Sequence, residues 1–385
     1  MAGLYLHVPF CPRKCNYCDF YSLAVSAPPG SGGARAHLEG EVFDRYLEAL
    51  GIELGALPSR FRPETVFVGG GTPTSLSTPS LHRLLGLVAA RIDLSRVTEW
   101  TVEANPGTLD GEKAQLLFEK GVSRISLGVQ SFERANLALL GRIHTAEEAA
   151  DGFRLLRRAG FRNIGIDLMY GIPGSSCEAL SRDLAAVGQL GCEHLSAYCL
   201  TVEEGTPFAA LREQGLFEEP SEEEQVAQYA LVRETAPRLG LLPYEISNFA
   251  RPGFECAHNG LYWSGGEYLG CGPSAHSHWE GARFANVSDL DRYCDALLSG
   301  RSPRAFEERL EPDRAARETL VIGLRRAAGW DAERFRQATG FDIFDLAGEE
   351  IRRFESQGLV CRRNGGIALT ERGILLSDTV FAELV

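Results

Sequence analysis

Over the first two hundred residues, short apolar runs alternate with longer stretches of helical period. The runs are LYLHV (4–8), TVFVGGG (65–71), EWTVEAN (99–105), RISLGVQ (124–130), NIGIDLMYG (163–171) and HLSAYCLT (194–201). Each is rich in β-branched or aromatic residues and ends in a polar or glycine-rich turn, which predicts a strand. VFDRYLEALGIELGAL, SLHRLLGLVAARI and TAEEAADGFRLLRRAG space their apolar residues three and four apart, which predicts amphipathic helices. Strand and helix alternating at this interval predict βαβ units and a mostly parallel α/β sheet. Six units fall two short of a closed eight-stranded barrel, so the expectation is an incomplete, open (β/α)6-type barrel.

Two segments break the rhythm. Residues 24–40, AVSAPPGSGGARAHLEG, predict a flexible loop. From about residue 300, EPDRAARETLVIGLRRA and DAERFRQATG predict two short helices, and LVCRRNGGIALTERG a hairpin turning at Asn364-Gly365. This divides the chain into a barrel domain with its extension, 1–300, and a small winged-helix-like α+β domain, 301–385.

Composition narrows the function classes. With 385 residues and 44% apolar content the chain can bury a large core. It lacks any apolar run long enough to span a membrane and any secretory leader, which predicts a soluble, cytoplasmic protein without a transmembrane anchor, although a peripheral membrane association needs none. Its ten cysteines are irregularly spaced apart from the first three, as suits a reducing compartment. The net charge is −13, and residues 301–385 carry 14 arginines against 15 acidic residues, so the winged-helix-like domain is expected to pack on the barrel and not on nucleic acid.

Polar residues recur where the strands end. His7 and three cysteines follow the first run, GGGTP (69–73) the second, and Glu103, Gln130 and Asp167 stand at the ends of the next three. In parallel α/β architectures that edge is where loops converge on a ligand. Any one of these residues is accounted for by a helix cap or strand end; five in consecutive units predict one shared site.

Cys11, Cys15 and Cys18 form a C-x-x-x-C-x-x-C motif. A structural zinc ion wants four ligands, and His7 is available as the fourth. An iron–sulfur cluster also takes four protein ligands, and three cysteines would leave one iron open to a substrate or cofactor.

The motif directly after a first strand, with a GGGTP loop after the second, resembles the radical S-adenosylmethionine (SAM) superfamily. That resemblance implies a 4Fe-4S cluster on Cys11, Cys15 and Cys18, with SAM chelated at the open iron. YLHVPFCPRKCNYCDF, VGGGTPT, VEANP, SLGVQSF, LGRIH and IDLMYGIPG resemble the branch holding oxygen-independent coproporphyrinogen III oxidases and heme chaperones. By that resemblance Tyr5, Tyr17, Gly70, Gly71, Thr72, Glu103, Gln130, Arg142 and Asp167 would bind SAM. Three departures favour the chaperone subgroup. Phe20 stands where the oxidases carry a fourth cysteine, only ten residues precede Cys11, and CAHNGLYW (256–263) matches an HNxxYW signature. YLGCGPSAHSHW, closing at residue 279, resembles the same subgroup.

The resemblance therefore implies heme as cargo, with respiratory apo-hemoproteins as acceptors. His258 is the heme-ligand candidate, and Cys256 and His276 are further ones. The residues themselves also allow His258 to be hydrogen-bonded beneath the barrel with Tyr262 and Trp263 in the core. The alternative function is the oxidase reaction, radical decarboxylation of propionates to vinyls. Radical modification of RNA is a third class, disfavoured by the charge.

Overall fold

In the computed structural model, which describes residues 2–24, 38–363 and 365–385, the alternating runs form one continuous sheet. The six predicted strands are β1 Ala2–Val8, β2 Thr65–Gly70, β3 Glu99–Ala104, β4 Arg124–Gln130, β5 Ile164–Tyr170 and β6 His194–Cys199. They lie side by side in that order and all run parallel. One face of each is apolar: Leu4, Leu6 and Val8 on β1, Ile125, Leu127 and Val129 on β4. These side chains meet the apolar stripes of helices Phe43–Gly55, Thr78–Arg91, Gly111–Glu119, Ala146–Ala159 and Cys177–Leu190. Side chains alternate across a strand, so the polar members, among them Ser126, Asp167 and Ser196, share the opposite, concave face.

The sheet continues beyond those six. Leu242–Pro243 (β7) and Asn248–Ala250 (β8) extend it antiparallel beyond β6. On the other side Glu267–Cys271 (β9) pairs parallel with β1, making seven parallel strands. His276–Trp279 (β10), Ala282–Asn286 (β11) and Arg304–Arg309 (β12) follow as an antiparallel meander. The order β12-β11-β10-β9-β1-β2-β3-β4-β5-β6-β8-β7 has two free ends, so the partial barrel is open as expected.

The large sheet runs to Arg309, past residue 300, and a second hydrophobic core begins at Ala316. That core gathers Leu320, Leu324, Trp330, Phe335, Ile351 and Phe354 between helices Pro312–Leu324, Ala332–Thr339 and Ile343–Ser356. Three helices, one more than the sequence reading named, precede the hairpin of β13 Val360–Arg363 and β14 Gly366–Leu369. Asn364 of its turn lies outside the described residues, as do residues 25–37 of the segment expected to be a flexible loop. The small domain packs on the barrel through backbone hydrogen bonds from Ile246 N to Arg325 O and from Ala327 N to Tyr244 O.

Candidate cofactor site

The loop after β1 carries the three cysteines and is anchored on both sides. Asn16 N donates to Leu140 O (3.1 Å), Asn16 Nδ2 donates to Leu139 O (2.8 Å), and Phe208 N donates to Asn16 O (2.9 Å). Helix Arg134–Leu140 is stopped by Gly141 in the left-handed conformation, which turns Arg142 back over the loop. Arg142 Nη1 then donates to Cys15 Sγ at 3.3 Å, and Nη2 to the Gly128 carbonyl. Cys11 Sγ is 3.6 Å from Thr72 Oγ1. Burial pushes the Cys11 thiol up and Cys18 to about 11. A bound metal, which deprotonates a coordinating thiol outright, would reverse both shifts.

These groups stand over a cavity of about 500 Å³ inside the barrel, a size typical of small-molecule sites. Cys11, Cys15, Cys18, Tyr17, Gly70, Gly71, Thr72, Glu103, Gln130, Arg142 and Asp167 all line it. Tyr5 does not line it. Its ring lies 6.2 Å from that of Phe67, and its hydroxyl donates to His7 Nδ1 at 3.1 Å. His7 is buried and spends Nε2 on the Tyr21 carbonyl (2.8 Å). It therefore has no free nitrogen to complete a zinc site. No three His, Cys, Asp or Glu side chains among the described residues converge as a single metal ion would require. Three thiols without a fourth donor, beside a guanidinium and at the mouth of a cavity, fit a cluster with one open iron.

Buried carboxylates set the electrostatics. Glu103 is pushed up to about 7 by burial and by the nearby Asp167 charge, against a hydrogen bond from Gly70 N at 3.1 Å. Asp167 is raised by burial, while Ser126 Oγ donates to both its oxygens at 3.1 Å. The glycine loop serves this packing first. A Cβ on Gly70, whose φ is +98°, would sit 2.5 Å from the His7 ring, and one on Gly71 2.5 Å from the Phe10 carbonyl. Gln130, at φ 70°, follows a break in the β4–β5 register after Gly128 and lines the cavity.

His258 is not an open ligand in this structure. It is 1% exposed, and its ring is held between Thr65 Oγ1 (Nδ1, 2.8 Å) and the Tyr262 hydroxyl (Nε2, 2.8 Å). Burial, reinforced by Arg124, drives its pKa down to about 3. The bracing reading of this histidine is the one the geometry supports. Cys256 is buried against Glu99 (3.5 Å), whereas His276 is exposed on β10. Sequence reasoning missed Arg124, Phe67, Ser196 and Tyr198, which also line the cavity. For Arg124, Ser196 and Tyr198 the signal was the inward alternation 124-126-128-130 and 194-196-198, which reading the strand ends alone overlooks.

The radical SAM superfamily profile matches residues 5–184, and the HemN C-terminal domain profile matches residues 310–376. The chain is 34% identical to the heme chaperone HemW of Bacillus subtilis, over 99% of this chain and 98% of that protein. The chain belongs to the HemW family of radical SAM proteins. Members of the HemW family from Lactococcus lactis (35% identity, 99% of this chain and 96% of that protein) and Escherichia coli (38%, 71% and 69%) match as well. Among solved structures, the coproporphyrinogen III oxidase HemN of E. coli, described as a radical SAM enzyme, superposes with a TM-score of 0.83. That match covers all of this chain and 89% of HemN at 23% identity, a likeness of fold. Superfamily membership implies a 4Fe-4S cluster and SAM. Among the described residues no helix is long and apolar enough to cross a membrane.

Proposed function

We propose that this chain is a heme carrier that binds heme and passes it to apo-hemoproteins, with a 4Fe-4S cluster on Cys11, Cys15 and Cys18 and SAM in the adjoining cavity. The observation that carries this reading is the end-to-end similarity to HemW proteins. The HemN likeness is one of fold, and Phe20, 61% exposed at the cavity mouth, takes the place of the oxidases' fourth cysteine. The bound cluster would supply one-electron chemistry toward SAM.

The chain's own residues bind and orient. Arg142 donates to the Cys15 sulfur, a hydrogen bond that would be charge-assisted with the cluster bound, and ties it to β4 through the Gly128 carbonyl. Thr72 faces Cys11 from the glycine loop. Glu103 and Asp167 accept hydrogen bonds from ligand hydroxyl or ammonium groups, and Tyr17 and Gln130 close the walls. His258 keeps the floor in place.

The test is anaerobic reconstitution followed by two titrations, one with heme and one with coproporphyrinogen plus SAM and a reductant. Stoichiometric heme uptake without porphyrinogen turnover is expected. Turnover to the divinyl product would establish the oxidase reaction instead. Cys15→Ala is expected to abolish the four-iron absorption, and an intact cluster in that variant would refute the ligand assignment.

A further inference from the structure

The deep end of the cavity holds an arginine whose charge the protein answers only at a distance, through carboxylates such as Glu99 and Asp167. Arg124, at the start of β4, is 1% exposed and lines the cavity, yet its guanidinium makes no hydrogen bond or ion pair among the described residues. Buried charges are normally paired, because an isolated one costs several kcal/mol. Gly165 of β5 leaves room for the guanidinium: a Cβ there would stand 3.1 Å from Arg124 Nη2.

The natural partner beneath it is engaged elsewhere. Glu99 accepts from Ala257 N (2.9 Å) and His258 N (3.0 Å), closing the N-terminus of helix Ala257–Trp263. That helix is braced further by His258, so Asn259, the next residue, is held against the cavity. The Asn259 carboxamide has no hydrogen bond among the described residues and also lines the cavity. Ser126 on the same inner face already donates its hydroxyl to Asp167, so it is not counted among the free donors. A guanidinium and a carboxamide facing one enclosed space suit a carboxylate.

We propose that Arg124 and Asn259 form a carboxylate subsite on the cavity floor, occupied by a propionate arm of the tetrapyrrole. This rests on the heme-carrier reading. By the superfamily resemblance the SAM carboxylate would go to the open iron held by Cys11, Cys15 and Cys18, at the other end of the strands, which leaves the floor to a second molecule. Tyr198, past the stretch of β6 that β8 covers, lines the cavity and is 41% exposed, so the arm enters there while the macrocycle stays outside.

The test compares heme with heme dimethyl ester, whose propionates are capped, on the reconstituted full chain, with SAM affinity measured in parallel. The wild type is expected to prefer the free acid by about tenfold, the value of a charge-assisted hydrogen bond. Arg124→Gln and Asn259→Ala are each expected to shrink that preference severalfold while leaving ester affinity unchanged. The ester thus controls for folding, and Asn259→Ala carries the test if the arginine variant misfolds. Equal affinity of the wild type for acid and ester, or an undiminished preference in Asn259→Ala, overturns the subsite. Loss of SAM affinity with the heme preference intact assigns the carboxylate to SAM and overturns it too. If the wild type binds neither tetrapyrrole, the carrier reading falls and takes the subsite with it. Binding of both without preference sinks the subsite alone.

Discussion

Replacing His258 with phenylalanine separates a brace from a heme ligand. The ring volume is nearly kept, but the hydroxyls of Thr65 and Tyr262 each lose a 2.8 Å partner in a buried site. Each orphaned hydroxyl costs about 1–3 kcal/mol, so His258→Phe is expected to lose about 2–6 kcal/mol at pH 7.5. The pH dependence gives a second, independent number. The folded pKa of about 3 lies below the unfolded value of about 6.5, so the native state binds fewer protons than the unfolded chain. The stability from neutral His258 is complete above pH 6.5 and is lost as pH falls toward 3. Between pH 7.5 and 5.5 the wild type gives up about 1.4 kcal/mol through this group, and the phenylalanine variant none. Urea denaturation of both proteins at the two pH values is therefore expected to show the gap narrowing by that amount on acidification. Heme absorption of the native variant, recorded at pH 7.5, is expected to be unchanged. A variant as stable as the wild type, with a lost or shifted heme spectrum, would refute the reasoning and return His258 to the role of ligand.

Two further substitutions probe the cavity walls. Glu103 titrates near 7, and its ionised form is the one that attracts the SAM cation. SAM affinity is expected to rise severalfold from pH 6 to 8, and Glu103→Gln to flatten that rise, as measured by calorimetry. Gly71→Ala places a methyl group 2.5 Å from the Phe10 carbonyl and 2.7 Å from that of Val8. Backbone contacts of that kind cannot swing aside, so a loss of about 1–3 kcal/mol in denaturation is expected, together with weaker SAM binding. An unchanged melting curve would show that the loop shifts freely.

Six of the seven parallel strands were legible because each is a β-branched run closed by a turn, a signal local to the chain. The seventh, Glu267–Cys271, was not, since EYLGC is short and its strand character comes from pairing with β1. The cysteine, glycine and acidic positions were readable because their types and order are tied to strand ends. Arg124 was not, because one arginine opening a strand looks like a solvent-facing boundary residue, whereas in the fold it is 1% exposed. Tyr5 and His258 stand back from the cavity for a related reason. A motif tells which residues keep company but not which of them faces the ligand, and both spend their polar atoms on protein partners.

The position of β9 also bears on how the molecule is made. β1 is synthesised long before β9 and carries the cysteine loop at its tip, but the edge away from β2 is covered by residues 267–271. Until that distant segment arrives, the nascent chain presents an unpaired edge beside three free thiols, a template for wrong pairing and a target for oxidation. Parallel pairing at such separation is slow to form. An iron centre inserted before β9 has docked would meet a half-built wall, so completion of the sheet is expected to precede a stable cluster.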